Sequence, residues 1–141
     1  MNFVLDNSVS ICWLLPAGKS GDAAYAETVL ASLKQSHAHV PSLWALEAAN
    51  VIAKAESKGH VTEARSQAFL SLLVRLNIAV DKATSEHALG ETLNLARRYK
   101  LSSYDAAYLE LALRMGAPLA TLDADLGKAA KKAGVPHYEP I

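Results

Sequence analysis

The chain has 141 residues, of which 51% are apolar and 20% charged, and its 14 basic and 14 acidic side chains give a formal net charge of zero. That length suits one domain, residues 1–141, with a core that needs no staple, and the composition excludes a disordered chain. Charge balance excludes a protein that coats nucleic acid through overall basicity, while leaving room for a basic patch beside an acidic pocket.

Phe3-Val4-Leu5 is a short apolar run that reads as a buried strand ending at Asp6, with Asn7 and Ser8 as turn and cap residues. An apolar segment then runs to Leu15 and stops at Pro16, and 17–22 reads as a loop. Residues 23–34 form an expected helix with Ala26, Val29, Leu30 and Leu33 on one face. A weak strand at 39–41 follows, then a helix capped by Ser42 that carries Glu47 and ends at Gly59. Phe69, Leu72, Leu73 and Leu76 mark an amphipathic helix over 63–76. Ile78-Ala79-Val80 is a strand, and 86–99 a helix with Leu89, Leu93 and Ala96 facing inward. The helix over 103–115 is apolar almost all round and is expected to be buried. Residues 118–121 form a strand and 124–133 a last helix ending at Gly134, with any further strand inside 135–139. Strands alternating with helices predict right-handed crossovers and a parallel sheet, with ligands at the carboxyl ends of its strands.

Asp6, Glu47, Asp105 and Asp123 fall at strand ends or on helices that pack against strands. Acids on apolar elements are costly to collect at one point unless a cation compensates them, which makes a hard-metal site the leading expectation. Each acid also has a purely structural reading. Asp6-Asn7 can be a turn, Glu47 an ordinary helix glutamate, and Ser102 with Asp105 a capping box. Asp123 can be the N-cap of the helix carrying Leu126, with Asp125 a second acid close by. Glu47 and Asn50 are spaced to share one helix face.

Val4-Leu5-Asp6-Asn7-Ser8-Val9, the stretch from Pro41 to Glu47 with Asn50-Val51, the stretch from Leu101 to Ala112 and that from Pro118 to Leu126 together resemble the PIN domain, and within it the VapC-like toxins of bacterial toxin–antitoxin pairs. Tyr104-Asp105-Ala106-Ala107-Tyr108 is the most specific piece. The resemblance implies a three-layer α/β/α fold around a parallel sheet of four to five short strands. It maps Asp6, Glu47, Asp105 and Asp123 onto the family's acidic quartet, and Ser8, Asn50 and Thr121 onto its supporting positions. The family often has Asn where this chain has Leu122, which leaves Asp123 and Asp125 as alternatives for the fourth acid; Asp123 is preferred because Asp125 lies inside the next helix.

An all-oxygen site without a nearby His or Cys motif suits Mg²⁺ or Mn²⁺ rather than zinc. The expected chemistry is metal-assisted phosphodiester hydrolysis, with Asp6, Asp105 and Asp123 as ligands and Glu47 on a second metal or on the attacking water. The resemblance further implies an endoribonuclease leaving 5′-phosphate ends, inhibited by a cognate antitoxin and acting as a homodimer. Arg97, Arg98 and Lys100 are the candidate contacts to RNA phosphate. Core packing is the expected role of Trp44 and Tyr104, with base stacking the alternative. The single Cys12 among apolar neighbours suggests a buried, reduced thiol, and no signal peptide or membrane span is apparent, so a cytoplasmic location is expected.

The main rival reading is a catalytically inactive PIN-like module that binds RNA or protein. A phospho-receiver domain would want a pair of acids after the first strand and a late lysine, and a haloacid-dehalogenase-type phosphatase would want Asp where Ser8 stands.

Overall fold

A computed structural model describes residues 1–140. Its sheet has four parallel strands, β1 (Asn2–Leu5), β2 (His37–Val40), β3 (Ile78–Val80) and β4 (Leu119–Ala120), in the order β3-β2-β1-β4. Consecutive strands step from β1 toward β3, and the chain then returns to β4 on the far side of β1. The reversal creates a switch point between β1 and β4, where an open α/β sheet has its binding crevice. A bridge from Leu119 to His137 adds one residue pair beyond β4, inside the stretch where a last strand was expected.

The helices are α1 (Asn7–Ser10), continued by a 3₁₀ turn at Ile11–Trp13, α2 (Ser20–Ser32), α3 (Trp44–Ser57) and α4 (Glu63–Arg75). After β3 come α5 (Thr84–His87), a π turn over Ala88–Thr92, α6 (Leu93–Tyr99), α7 (Ser103–Met115) and α8 (Ala124–Lys132). Phe3, Val4 and Leu5 are fully buried, as two-sided coverage of a parallel strand demands. On α7 every residue from Ala106 to Ala112 is buried, in accord with its all-round apolar sequence. A smaller core of Leu14, Ile52, Ala55, Val61 and Phe69 ties the α3–α4 hairpin to the turn after α1. This three-layer α/β/α arrangement is the fold expected from the sequence.

Several local expectations are corrected. The helix expected over 86–99 is broken by the π turn, whose wider winding rotates the inward face. Leu89 is therefore 89% exposed, and Thr92 and Leu95 are buried instead. Helix α2 begins at Ser20, inside the expected loop, because Lys19 is already its N-cap. Leu43 rather than Ser42 is the N-cap of α3, and the Ser42 amide donates instead to Thr84 Oγ1 at 2.9 Å. Cys12 is half-buried and its thiol donates to the Ser8 carbonyl.

Candidate active site

Leu5 ends β1, and Asp6 follows in extended conformation as the N-cap of α1. Its carboxylate makes no capping bond, so it is free for other partners. Oδ2 accepts from Ser8 Oγ at 2.6 Å and from Thr121 Oγ1 at 2.7 Å. Each hydroxyl accepts in turn from a backbone amide, Ser8 Oγ from Leu122 at 3.0 Å and Thr121 Oγ1 from Asp123 at 3.0 Å. A hydroxyl can donate and accept at once, so these two side chains join the β1 end to the β4 end through one carboxylate. Asp6 is only 5% exposed.

The other acids arrive on helix starts. Asp123 is the N-cap of α8, its Oδ2 accepting from the Leu126 amide at 2.8 Å, as the structural reading expected. The functional reading is compatible with this, because Oδ1 is left over. Ser102 caps α7 by accepting from the Asp105 amide at 3.1 Å, which sets Asp105 in the first turn. Glu47 lies in the first turn of α3 and its Oε1 accepts from the Tyr108 hydroxyl at 2.5 Å.

The carboxyl groups sense one another. The Asp105 carboxyl is pushed up to about 6, first by burial and then by the charges of Asp123, Asp6, Glu47 and Asp125. Burial also raises Asp6, with the Asp123 charge adding to it and the Ser8 and Thr121 hydroxyls opposing it. Glu47 is raised by burial and by Asp6, against the Tyr108 hydrogen bond. Repulsion of this kind is what a cation relieves. Among the described residues, however, no three His, Cys, Asp or Glu side chains stand close enough to enclose a metal by themselves. The all-oxygen donors and shared repulsion fit a hard divalent cation that retains part of its water shell, as Mg²⁺ does.

The remaining sequence candidates divide. Asp125 is exposed at the start of α8, and its charge reaches Asp105. Asn50 is exposed and makes no hydrogen bond to any of the four acids among the described residues, so the expected support from it is missing here. Trp44 is a core residue, its indole N–H donating to Ser10 Oγ at 3.1 Å, whereas Tyr104 is 63% exposed and not part of the core. Arg98 and Lys100 line a cavity of about 550 Å³ with Lys128, Lys132 and Asp125, and Arg97 lies outside that lining. Tyr108, part of the most specific stretch of the sequence, has no role of its own assigned there. Its signal was an aromatic hydroxyl three residues after Asp105 on a helix otherwise fit for burial.

Acids from four separate elements at the switch point of a parallel 3-2-1-4 sheet define an α/β domain with an acidic cluster at its strand ends. The chain belongs to the PIN domain family, whose model matches residues 3–132. It is 29% identical over 128 residues to Ribonuclease VapC3 of Pyrobaculum aerophilum, spanning 91% of this chain and 94% of that protein. The crystal structure of PAE2754 from Pyrobaculum aerophilum superposes with a TM-score of 0.65 at 22% identity, covering 92% of this chain and 87% of the other. FitAcB from Neisseria gonorrhoeae gives 0.60 at 19% identity, covering 99% and 98%. These two likenesses establish the fold.

Proposed function

We propose that this chain is a metal-dependent endoribonuclease, the toxin of a toxin–antitoxin pair, that hydrolyses RNA phosphodiester bonds and is held inactive by a cognate antitoxin. The observation that carries the reading is the convergence of Asp6, Glu47, Asp105 and Asp123, from four separate elements, on the switch-point end of the sheet. Likeness to a ribonuclease along nearly the whole chain supports the choice of RNA.

Asp6, Asp105 and Asp123 are the residues that would hold Mg²⁺ or Mn²⁺, with Glu47 beside them. The cation, when bound, would acidify and orient water and neutralise charge on the phosphate oxygens. Asp6 is held rigidly by Ser8 and Thr121 and so contributes a fixed carboxylate. Glu47, whose carboxylate accepts from Tyr108, would bind a second cation or help to orient the attacking water. Arg98, Lys100, Lys128 and Lys132 would carry the RNA backbone along their groove, which Asp125 joins to the acidic pocket. Tyr104, exposed beside Asp105, would stack on a base. Self-association would use α4, which exposes Leu70 and Val74 one turn apart, 39% and 85% accessible.

The second reading, an inactive PIN-like binding module, draws support from the lack, among the described residues, of three such side chains grouped to hold a metal by themselves. One experiment separates the two. Wild type and Asp6→Asn are expressed, and RNA 5′-phosphate ends are sequenced, with purified protein then assayed with Mg²⁺, Mn²⁺ or EDTA. New ends at a few sites in wild type only, lost in EDTA, are expected. Identical end profiles with both proteins folded would overturn the nuclease reading.

A further inference from the structure

Tyr108 is fully buried in the middle of α7, where its ring belongs to the main core. A phenol in such a place needs a partner for its hydroxyl, and leaving one unmade is costly. The partner is Glu47 Oε1 at 2.5 Å, on a helix 61 residues earlier in the chain. This hydroxyl joins α7 to Glu47 on α3, and its residue lies one helical turn beyond Asp105.

The Glu47 carboxylate has no other hydrogen-bonded partner among the described residues. It is reached by no cation, since the ion pairs found among them all involve Arg114. A glutamate carries three rotatable bonds, and a half-buried one facing other acids would swing toward water without a restraint. The Tyr108 hydroxyl is that restraint, because it donates and a carboxylate only accepts.

We propose that Tyr108 is a positioning residue, whose buried hydroxyl holds the Glu47 carboxylate in the acidic pocket in register with Asp6 and Asp105. The role rests on the nuclease reading only for its effect on turnover, since aiming Glu47 also governs cation affinity. Groups that orient a metal site's carboxylates typically change metal affinity or activity by roughly 10–100-fold when removed.

The test is a double-mutant cycle of Tyr108→Phe and Glu47→Gln, read by Mn²⁺ calorimetry and by kcat and KM for RNA cleavage. Phenylalanine fills the same ring space, and circular dichroism checks the fold of each protein. Tyr108→Phe is expected to weaken Mn²⁺ binding roughly tenfold and to lower kcat by a similar factor, with KM for RNA within about twofold of wild type. Glu47→Gln tests the same bond from its half-exposed end, so the cycle does not depend on one buried substitution. The double variant is expected to bind Mn²⁺ no worse than Glu47→Gln alone. Additive losses, or unchanged Mn²⁺ affinity in Tyr108→Phe, would overturn the proposal. Wild type that binds Mn²⁺ but cleaves no RNA would overturn the nuclease reading, and the Mn²⁺ cycle would still decide on Tyr108. Wild type that binds no Mn²⁺ would overturn both.

Discussion

Replacing Asp105 with Asn should make the metal-free protein more stable at neutral pH, although it removes a proposed metal ligand. The carboxyl is pushed up to about 6 from an ordinary 3.8 by burial and by its acidic neighbours. A raised pKa means that the folded state binds the proton more tightly than the unfolded one. Stability is therefore lost as pH rises from the unfolded value through about 6, and is flat above it. At about 1.4 kcal/mol per pH unit, the gap between the two values corresponds to roughly 3 kcal/mol of native-state destabilisation above pH 6, from burial first and acid–acid repulsion second. Asp105 is only part-buried, so solvent screening cuts this to about 1 kcal/mol. Asparagine keeps the size and removes the charge, and should raise the melting temperature by about 3–4 °C at pH 7.5 in EDTA. Below the unfolded value both proteins hold a neutral group there, and the difference should vanish. Excess Mn²⁺ should reverse the order, since a ligand at a hundred times its Kd adds about 2.7 kcal/mol to the protein that binds it. Differential scanning calorimetry at both pH values, with and without Mn²⁺, measures all of this. A variant less stable than wild type at pH 7.5 in EDTA would refute the claim that the acids repel one another across the pocket.

Arg114 donates to Glu110, only 3% exposed, and to Asp81. Arg114→Met strands Glu110 without a cation and should cost about 3 kcal/mol in urea denaturation at pH 7.5. Because Arg114 holds the Asp81 carboxyl below its usual range, the stability from that pair should persist above the unfolded pKa and fade as pH drops through the folded one. Thr121→Val keeps the shape but removes the donor to Asp6 and the acceptor of the Asp123 amide. It should cost about 2 kcal/mol in the same assay at pH 7.5, and an unchanged midpoint would show that Thr121 does not hold Asp6. In an Asp6→Asn background, Lys128→Ala with Lys132→Ala should flatten the log–log salt dependence of single-stranded RNA binding by about 1.4, and Arg97→Ala should leave it unchanged.

What could be read in the sequence was whatever depends on neighbours a few residues apart. Asp123 before Leu126, Ser102 before Asp105, and the apolar stretch of α7 all name their local structure, because capping and burial are set within a turn or two. Strand ends follow from the same short patterns, which is why the acids could be assigned to the switch side of the sheet. The face of the 86–99 segment could not be read, since the 3.6-residue period assumes a regular helix and the π turn breaks it. Trp44 and Tyr104 also look alike in sequence. Packing in the main core and the distant Ser10 hydroxyl take in the indole, and nothing comparable takes in Tyr104. The contacts that make the pocket are the least local of all, Thr121 to Asp6 across 115 positions and Tyr108 to Glu47 across 61.

The same contacts explain how a neutral domain tolerates several acids in one place. Asp6 sits deepest and receives two hydroxyl donors, Asp123 spends one oxygen on a helix start, and Glu47 has a phenol. Asp105 is the exception. No side chain donates to it among the described residues, and its carboxyl is pushed up to about 6, first by burial and then by the charges of the neighbouring acids. Satisfied carboxylates are held in place by hydrogen bonds, while an unsatisfied one keeps its lone pairs for whatever enters the pocket. Burial and repulsion thus act together on the one acid with no side-chain donor, where an arriving cation would relieve both.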